Sequence, residues 1–188
     1  MGWLSEQQME EMGFAGFGIN VRLSDKASYY NCGKINIGNN VRIDDFCVLS
    51  AGEGGINIGN YVHIAVYSSL IGQGKISLAD YSGLSSRVSV YSSSDDYSGL
   101  SMTNPTVPEF LTNVYHADVS IGKHVIIGSG SVLLPGVILQ EGVAIGALSL
   151  VQKNCDAFGV YIGVPVKRIG TRKQALLSME AQLILMEN

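Results

Sequence analysis

Five side chains in the sequence are suited to moving a proton. Histidine is the natural general base near neutral pH, because its ordinary pKa is about 6.5. The chain has three histidines, His63, His116 and His124. The adjacent carboxylates of Asp95 and Asp96 could accept a proton themselves or orient a neighbouring base. The sequence therefore offers general acid–base chemistry at a small number of positions.

The neighbouring residues indicate which of the three histidines are structural and which could be catalytic. His63 precedes Ile64 and His124 precedes Val125, both inside regular apolar patterns, so we expect both to be structural residues at the surface. His116 ends an irregular segment, just before the regular pattern resumes. His116 is therefore the first candidate for a catalytic base, and a structural hydrogen bond is the alternative.

The elements that must position these residues repeat with a step of six. Aliphatic residues recur at this spacing in four runs: Ile37, Ile43, Leu49; Ile58, Ile64, Leu70; Leu78, Leu84, Val90; and Ile121, Ile127, Leu133, Leu139, Ile145, Val151. Period six matches neither a helix nor an alternating strand. It indicates short strands joined by turns and stacked as triangular coils. A β-sandwich, whose strands usually recur every 8–12 residues or so, fits poorly. The predicted fold is all-β, a parallel β-helix.

The most specific part of the repeat is 119–169, which closes with the residues GVPVKRI. Over about 19–169 the chain resembles the hexapeptide-repeat, left-handed parallel β-helix acyltransferases. It looks closest to the galactoside and sugar O-acetyltransferases of polysaccharide biosynthesis. The resemblance implies a left-handed coil, acetyl-CoA as acyl donor, and a homotrimer whose active sites lie between subunits.

The resemblance also implies a site for the carrier, in a groove between the C-terminal coils of two subunits. Turns of these coils would hold the pantetheine, and nearby cations would meet the phosphates. The residues at these positions are Gly128, Gly146, Ala147, Ser149, Lys153, Lys167 and Arg168. The alternative is that Lys167 and Arg168 are solvated charges at a coil end.

The segment 92–118 lacks the step of six, and in the resembled family a loop at this place helps to build the active site. Some members have Ser-His-Asp-Tyr there, whereas this chain has Asp95 in place of the histidine. We favour His116 as the base, with Asp95 or Asp96 orienting it or the acceptor. Asp95 could instead be the base, although a normal aspartate is weak toward a sugar hydroxyl. Otherwise an acceptor amine could arrive deprotonated, or the two aspartates could simply cap a turn.

A helix is predicted at each end of the chain. In the N-terminal lead-in, 1–18, Ser5 and Gln8 form a capping box for a helix over residues 5–12. In the C-terminal segment, 170–188, Thr171 and Gln174 frame a helix start. Its apolar face would comprise Leu176, Met179, Leu183 and Met186.

Composition excludes several classes of function. The chain has 12 basic and 16 acidic residues, a net charge of −4, which argues against a nucleic-acid partner. We expect no membrane span, because no apolar stretch is long enough, and no signal peptide, because the N-terminus has no basic region followed by an apolar core. The cysteines Cys32, Cys47 and Cys155 have no CxxC spacing, which predicts reduced thiols and a cytoplasmic protein.

The predicted function is transfer of an acetyl group from acetyl-CoA to a sugar hydroxyl, by direct attack with a general base. The alternatives are N-acetylation of a nucleotide-linked amino sugar and a non-catalytic hexapeptide-repeat binding protein. O-transfer is favoured because the chain lacks the Rossmann-like domain that some nucleotide-sugar N-acetyltransferases carry. No metal is expected, since the histidines lack the spacing of the zinc carbonic anhydrases that share this fold.

Overall fold

The backbone of the computed structural model, which describes residues 2–187, winds through about seven turns of a β-helix. Each full turn contributes three short strands, which we number in chain order. A strand pairs in parallel with its counterparts in the turns before and after it, so the strands stack into three flat sheets. The predicted fold class is confirmed.

The first sheet consists of β1 (Gly16–Phe17), β4 (Ile35–Ile37), β7 (Ile56–Ile58), β10 (Ile76–Leu78), β15 (Val119–Ile121) and β18 (Ile138–Leu139). The second consists of β2 (Arg22–Leu23), β5 (Arg42–Ile43), β8 (His63–Ile64), β11 (Gly83–Leu84), β16 (Ile126–Ile127), β19 (Ala144–Ile145), β21 (Gly159–Ile162) and β22 (Lys167–Thr171). The third consists of β3 (Ser28–Tyr30), β6 (Val48–Ala51), β9 (Ser69–Gly72), β12 (Ser89–Tyr91), β17 (Val132–Leu133) and β20 (Leu150–Val151). Strand β22 folds back antiparallel to β21.

The aliphatic residues at the step of six form the core. Strand register places Ile37 beside Ile58 and Ile58 beside Leu78 in the first sheet, and the other two sheets are aligned in the same way. All fifteen of these residues are buried. Three ladders of apolar side chains therefore fill the triangular interior, each side chain contributing about 1.5–3 kcal/mol on burial.

One corner of the coil, between the first and second sheets, is turned by residues other than glycine. Asn20, Asn40, Tyr61, Tyr81 and His124 each have φ between 56° and 59°, in the left-handed region. The rings of the last three stack with centroids 5.0 Å apart. Equivalent corner residues of successive turns lie one above another, so their side chains form a stacked row along this corner of the coil.

The N-terminal helix confirms the predicted capping box. Helix α1 spans Glu6–Glu11, the Ser5 hydroxyl accepts from the backbone N–H of Gln8, and the Gln8 side chain accepts from the backbone N–H of Ser5. Met9 is buried in the core. The helix therefore covers the open end of the first turn.

The C-terminal helix differs from its prediction. Helix α2 spans Ala175–Glu187, and Thr171 belongs to β22 instead of a helix start. Met179 and Met186, placed on the predicted apolar face, are 65% and 83% exposed. The other two residues of the predicted face, Leu176 and Leu183, are half-buried. The carboxylate of Glu180 contacts a coil corner, so a polar contact that was not predicted helps to attach the helix. No helix in the described part of the chain is long and apolar enough to cross a membrane.

The irregular segment 92–118 is a folded arm that leaves after β12 and returns before β15. Its stem is a hairpin of β13 (Ser93–Ser94) and β14 (Tyr115–His116), and a 3₁₀ turn lies at Glu109–Leu111. Large apolar side chains on the arm are almost fully exposed: Tyr97, Leu100 and Phe110, at 93%, 92% and 85%.

Candidate active site

A groove of about 290 Å³ lies on the outer surface of the second sheet, midway along the coil. It forms around Gly83, which is paired between His63 on one side and Ile126 on the other. Because Gly83 has no side chain, the outward row of the sheet is interrupted there. Three of the residues that line it are serines, Ser85, Ser86 and Ser129.

His63 joins this groove to a charged network. Its Nε2 lies 2.9 Å from a carboxylate oxygen of Asp44, and Nε of Arg42 donates to the other oxygen at 2.7 Å. The side chain of Asp44 is only 10% exposed, whereas that of His63 is 49% exposed. His63 faces outward as expected, but its place at the groove was not predicted.

His116 lies at the stem of the arm. Its Nδ1 is 2.8 Å from the hydroxyl oxygen of Ser93. That oxygen also accepts a hydrogen bond from the backbone N–H of Gln73, at 2.7 Å. In the tautomer with hydrogen on Nδ1, Ser93 accepts both bonds and Nε2 is left able to take a proton.

The two aspartates have different surroundings. The Asp96 carboxylate accepts from the backbone N–H groups of Ser98 at 2.8 Å and Ser101 at 3.1 Å. Hydrogen bonds from Ser98, its side chain first, and from Ser101 hold the pKa of Asp96 below its usual range. Asp96 therefore caps a turn and is a weak base. The Asp95 side chain is exposed and has no hydrogen-bond or ion-pair partner within residues 2–187. Within one chain His116 therefore bonds to Ser93, and the predicted support from Asp95 or Asp96 is not seen.

His124 is structural, as expected, but buried instead of at the surface. It is 9% exposed, stacks on Tyr81 and lies with Nε2 2.7 Å from a carboxylate oxygen of Glu180. The ammonium of Lys123 donates to the other oxygen of that carboxylate. Helix α2 thus covers His124, which the neighbouring sequence could not indicate.

Among the residues predicted to hold the carrier, the two glycines have a packing role. A Cβ on Gly128 would lie 2.4 Å from the backbone nitrogen of Ala147 in the next turn, and one on Gly146 would meet the side chain of Ile162 at 3.1 Å. Gly128 is therefore required for close stacking of the turns, whereas a side chain at Gly146 would only press on the side chain of Ile162. Ala147 itself is exposed.

Ser149 does not fit its predicted role. Its side chain is 2% exposed, and its hydroxyl donates to the carbonyl of Ala147 and accepts from the N–H of Gly163. Its own N–H donates to Ser131. Its polar groups are thus engaged inside the coil, because the step of six places position 149 on the inner side of a turn.

The predicted cations lie at the exposed end of the coil. Lys153, Lys167 and Arg168 are all exposed, and the last two belong to β22. The Arg168 guanidinium donates to the carbonyl of Gly170 and to the Thr171 hydroxyl. Their exposure leaves the charges accessible to an anion.

The cysteines are unsuited to nucleophilic chemistry. Cys32, Cys47 and Cys155 are unpaired and buried. Burial raises the pKa of Cys47 and of Cys155 to about 11, so both are protonated thiols at neutral pH. In the described part of the chain, no cluster of three or more His, Cys, Asp or Glu side chains could hold a metal ion.

Comparison with known proteins gives a relative covering nearly the whole chain. An Escherichia coli dTDP-4-amino-4,6-dideoxy-D-glucose acyltransferase is 60% identical over 181 residues, 96% of this chain and 94% of the relative. The chain belongs to the hexapeptide-repeat, left-handed β-helix acyltransferase family. No profile of a protein family matches the sequence.

Solved members of this acyltransferase family have the same fold. AntD, an N-acyltransferase from Bacillus cereus, was solved with dTDP and coenzyme A as a variant in which one aspartate is replaced. It is 43% identical with a TM-score of 0.94, and the match covers 99% of this chain and 100% of AntD. A variant with one serine replaced was solved with dTDP-4-amino-4,6-dideoxyglucose and coenzyme A, at 43% identity, coverage of 98% and 97%, and a TM-score of 0.93.

The predicted enzyme class, an acyltransferase, is confirmed, but transfer to a sugar hydroxyl is not. The relatives named above are an acyltransferase of an amino sugar nucleotide and an N-acyltransferase. They support the alternative of N-transfer better than the main prediction. Sequence reasoning also missed the groove, because the alignment of Gly83 with His63 and Ile126 depends on strand register, and the pairing with Ile126 crosses the arm.

Proposed function

We propose that this protein is an N-acyltransferase that moves an acyl group from acyl-CoA to the 4-amino group of dTDP-4-amino-4,6-dideoxyglucose. The observation that carries the proposal is 60% identity, over 96% of the chain, to an enzyme named for that sugar. Acetyl is the acyl group we expect first. Because AntD was also solved with 3-hydroxybutyryl-CoA, longer acyl groups belong in the same test.

The proposed assembly is a homotrimer in which the arm of one subunit reaches the groove of another. Tyr97, Leu100 and Phe110 expose most of their apolar surface in the single chain. A neighbouring subunit that covered them would remove a large apolar surface from water. The same contact would bring Asp95 and His116 toward a groove on the adjacent coil.

The proposed carrier site runs along the C-terminal turns. Lys153, Lys167 and Arg168 are exposed there and suit the phosphates of coenzyme A. Ala147 lies exposed on the same turns and can contact the pantetheine. We do not assign Ser149 to this site, since its polar groups are already bonded.

An amine acceptor needs a weaker general base than a hydroxyl acceptor does. The amine nitrogen attacks the thioester carbonyl, the C–N bond forms, and collapse of the intermediate breaks the C–S bond. The departing thiolate takes up a proton, and the nitrogen loses one. The nitrogen is positively charged after the attack and is therefore acidic, so a carboxylate is a strong enough base to accept its proton. The objection to an aspartate base, which concerned a sugar hydroxyl, therefore falls away.

We accordingly propose Asp95 as the proton acceptor, and His116 as the second candidate. Asp95 has an exposed carboxylate with no partner inside its own chain, whereas Asp96 is engaged by two backbone N–H groups. The replacement of one aspartate in the solved relative also directs attention to this residue type.

The test is an assay of the purified protein with acetyl-CoA and dTDP-4-amino-4,6-dideoxyglucose. Release of the CoA thiol is followed with a thiol reagent, and the nucleotide product is examined for one added acetyl group by mass spectrometry. The matched control is the dTDP sugar with a hydroxyl at C4. Turnover of the amine but not the alcohol supports the proposal, and turnover of the alcohol alone restores O-transfer.

Titration calorimetry with acetyl-CoA tests the carrier site separately. We expect about one carrier per subunit and weaker binding when Lys167→Ala and Arg168→Ala are combined. Equal affinity in the double variant would place the phosphates elsewhere.

A further inference from the structure

A row of basic side chains leads along the outer surface of the second sheet to the groove. Register pairs Arg22 with Arg42, Arg42 with His63, and His63 with Gly83. Adjacent strands lie about 4.8 Å apart, so the row from Arg22 to the groove is about 14 Å long. All three basic residues are exposed.

The row is positively charged and partly held in place. The Asp44 carboxylate accepts from Nε of Arg42 and lies 2.9 Å from Nε2 of His63. Arg22 adds a second guanidinium to the row, so its two guanidinium groups outnumber this one carboxylate. The Arg42 guanidinium also lies 5.6 Å from the ring centre of Trp3, a cation–π contact. These contacts orient the side chains of Arg42 and His63 before any ligand arrives.

Guanidinium groups spaced by one strand suit the oxygens of neighbouring phosphates. A planar guanidinium donates two parallel hydrogen bonds to a phosphate, and a second one from the next strand can reach the adjoining phosphate. The groove at the end of the row is lined by serines beside apolar side chains, a mixture that suits a small ligand with both polar and apolar groups, such as a deoxysugar.

We propose that Arg22, Arg42 and His63 bind the diphosphate of the nucleotide-sugar acceptor, with the sugar in the groove at Gly83 and Ser85. This inference rests on the proposed function. It places the nucleotide on the N-terminal turns, whereas the proposed carrier site lies on the C-terminal turns. The acceptor amine and the thioester would then approach the groove from opposite ends.

The test is calorimetric titration of the full-length protein with dTDP, thymidine and coenzyme A. Arg22→Gln and Arg42→Gln are compared with Lys34→Gln, which removes an exposed cation from a different corner, where it pairs with Glu53. Each arginine variant should bind dTDP at least about tenfold more weakly. The arginine variants should bind thymidine and coenzyme A with the affinity of the unaltered protein. Lys34→Gln should leave the affinities for all three ligands unchanged. Affinity for dTDP should also fall with salt.

Unchanged dTDP affinity in both arginine variants would overturn this inference and leave the proposed function standing. Equal losses for dTDP and thymidine would also overturn it, since the arginines would then not be acting on phosphate. A wild-type protein that binds coenzyme A but no dTDP would overturn both proposals. Because Arg22 is exposed on its strand, its variant remains informative even if Arg42→Gln lowers stability, which thermal unfolding would reveal.

Discussion

The carboxylate of Glu180 in α2 lies 2.7 Å from Nε2 of His124 at a corner of the coil. Lys123 donates to the same carboxylate. These bonds, that from Lys123 first, lower the pKa of Glu180, and the bond to Glu180 raises that of Lys123. Because most of the large apolar side chains of α2 are exposed, this charged contact has a large share in attaching the helix.

We predict that Glu180→Gln lowers the free energy of unfolding by about 1–3 kcal/mol at neutral pH, the scale of hydrogen bonds to a charged group. Since the pKa of Glu180 is lowered by folding, its contribution is present above the ordinary pKa of a glutamate. It is lost as pH falls through the lowered value. Urea unfolding should show a gap between the two proteins at about pH 7 that narrows as the pH is lowered through the acid range.

Glu10→Gln is the control for this experiment, because Glu10 is an exposed carboxylate on the other helix. It should leave stability unchanged at neutral and at acidic pH. A gap for Glu180→Gln that persists in acid would show that the contact is not electrostatic.

The base assignment predicts a ranking of variants. Asp95→Asn should lower kcat about 10²-fold or more, the scale of a lost general base, while folding is unchanged because the side chain is exposed. Asp156→Asn, at an exposed position outside the arm, is the matched control. If His116→Ala costs more than Asp95→Asn in steady-state kinetics, His116 is the base.

One buried hydroxyl within the described chain, that of Ser82, has no hydrogen-bond partner. We predict that Ser82→Ala raises the free energy of unfolding by about 1 kcal/mol, because it removes an unsatisfied polar group. Ser68 is the matched control: its hydroxyl donates to the carbonyl of Ser85 and accepts from the N–H of Val88. Ser68→Ala should be destabilising in the same denaturant titration, and a loss of equal size in both would refute the prediction.

The close stacking of turns predicts that Gly128→Ala is destabilising by about 1–3 kcal/mol or more, because the new Cβ would meet backbone 2.4 Å away. At Gly170 a Cβ would have no atom within 4 Å, so Gly170→Ala should be nearly neutral. Thermal unfolding of the two variants measures the difference directly. Equal melting temperatures would mean that the turns can separate at little cost.

The proposed trimer predicts an effect of the arm on assembly. Phe110→Ser removes a large apolar side chain that is 85% exposed in the single chain, so it should weaken association without unfolding the coil. Light scattering after size exclusion should give a trimer for the wild type and smaller species for the variant. A monomeric wild type at micromolar concentration would contradict the proposal.

Local patterns were sufficient for the fold. Each inward aliphatic residue belongs to its own six-residue unit, so a residue such as Ile64 could be placed in the core without knowing what it contacts. The capping box of Ser5 and Gln8 is likewise formed within one turn of helix. The position of the arm could be predicted because it is where the step of six stops.

Features built from residues of different turns could be seen only in the tertiary structure. The groove exists because Gly83 is paired between His63 and Ile126, and the second of these pairings crosses the whole arm. His124 is buried because Glu180, 56 residues away, closes over it. The acceptor could not be inferred from local patterns for the same reason: what distinguishes an amine from a hydroxyl is a set of side chains that only folding and assembly bring to one place.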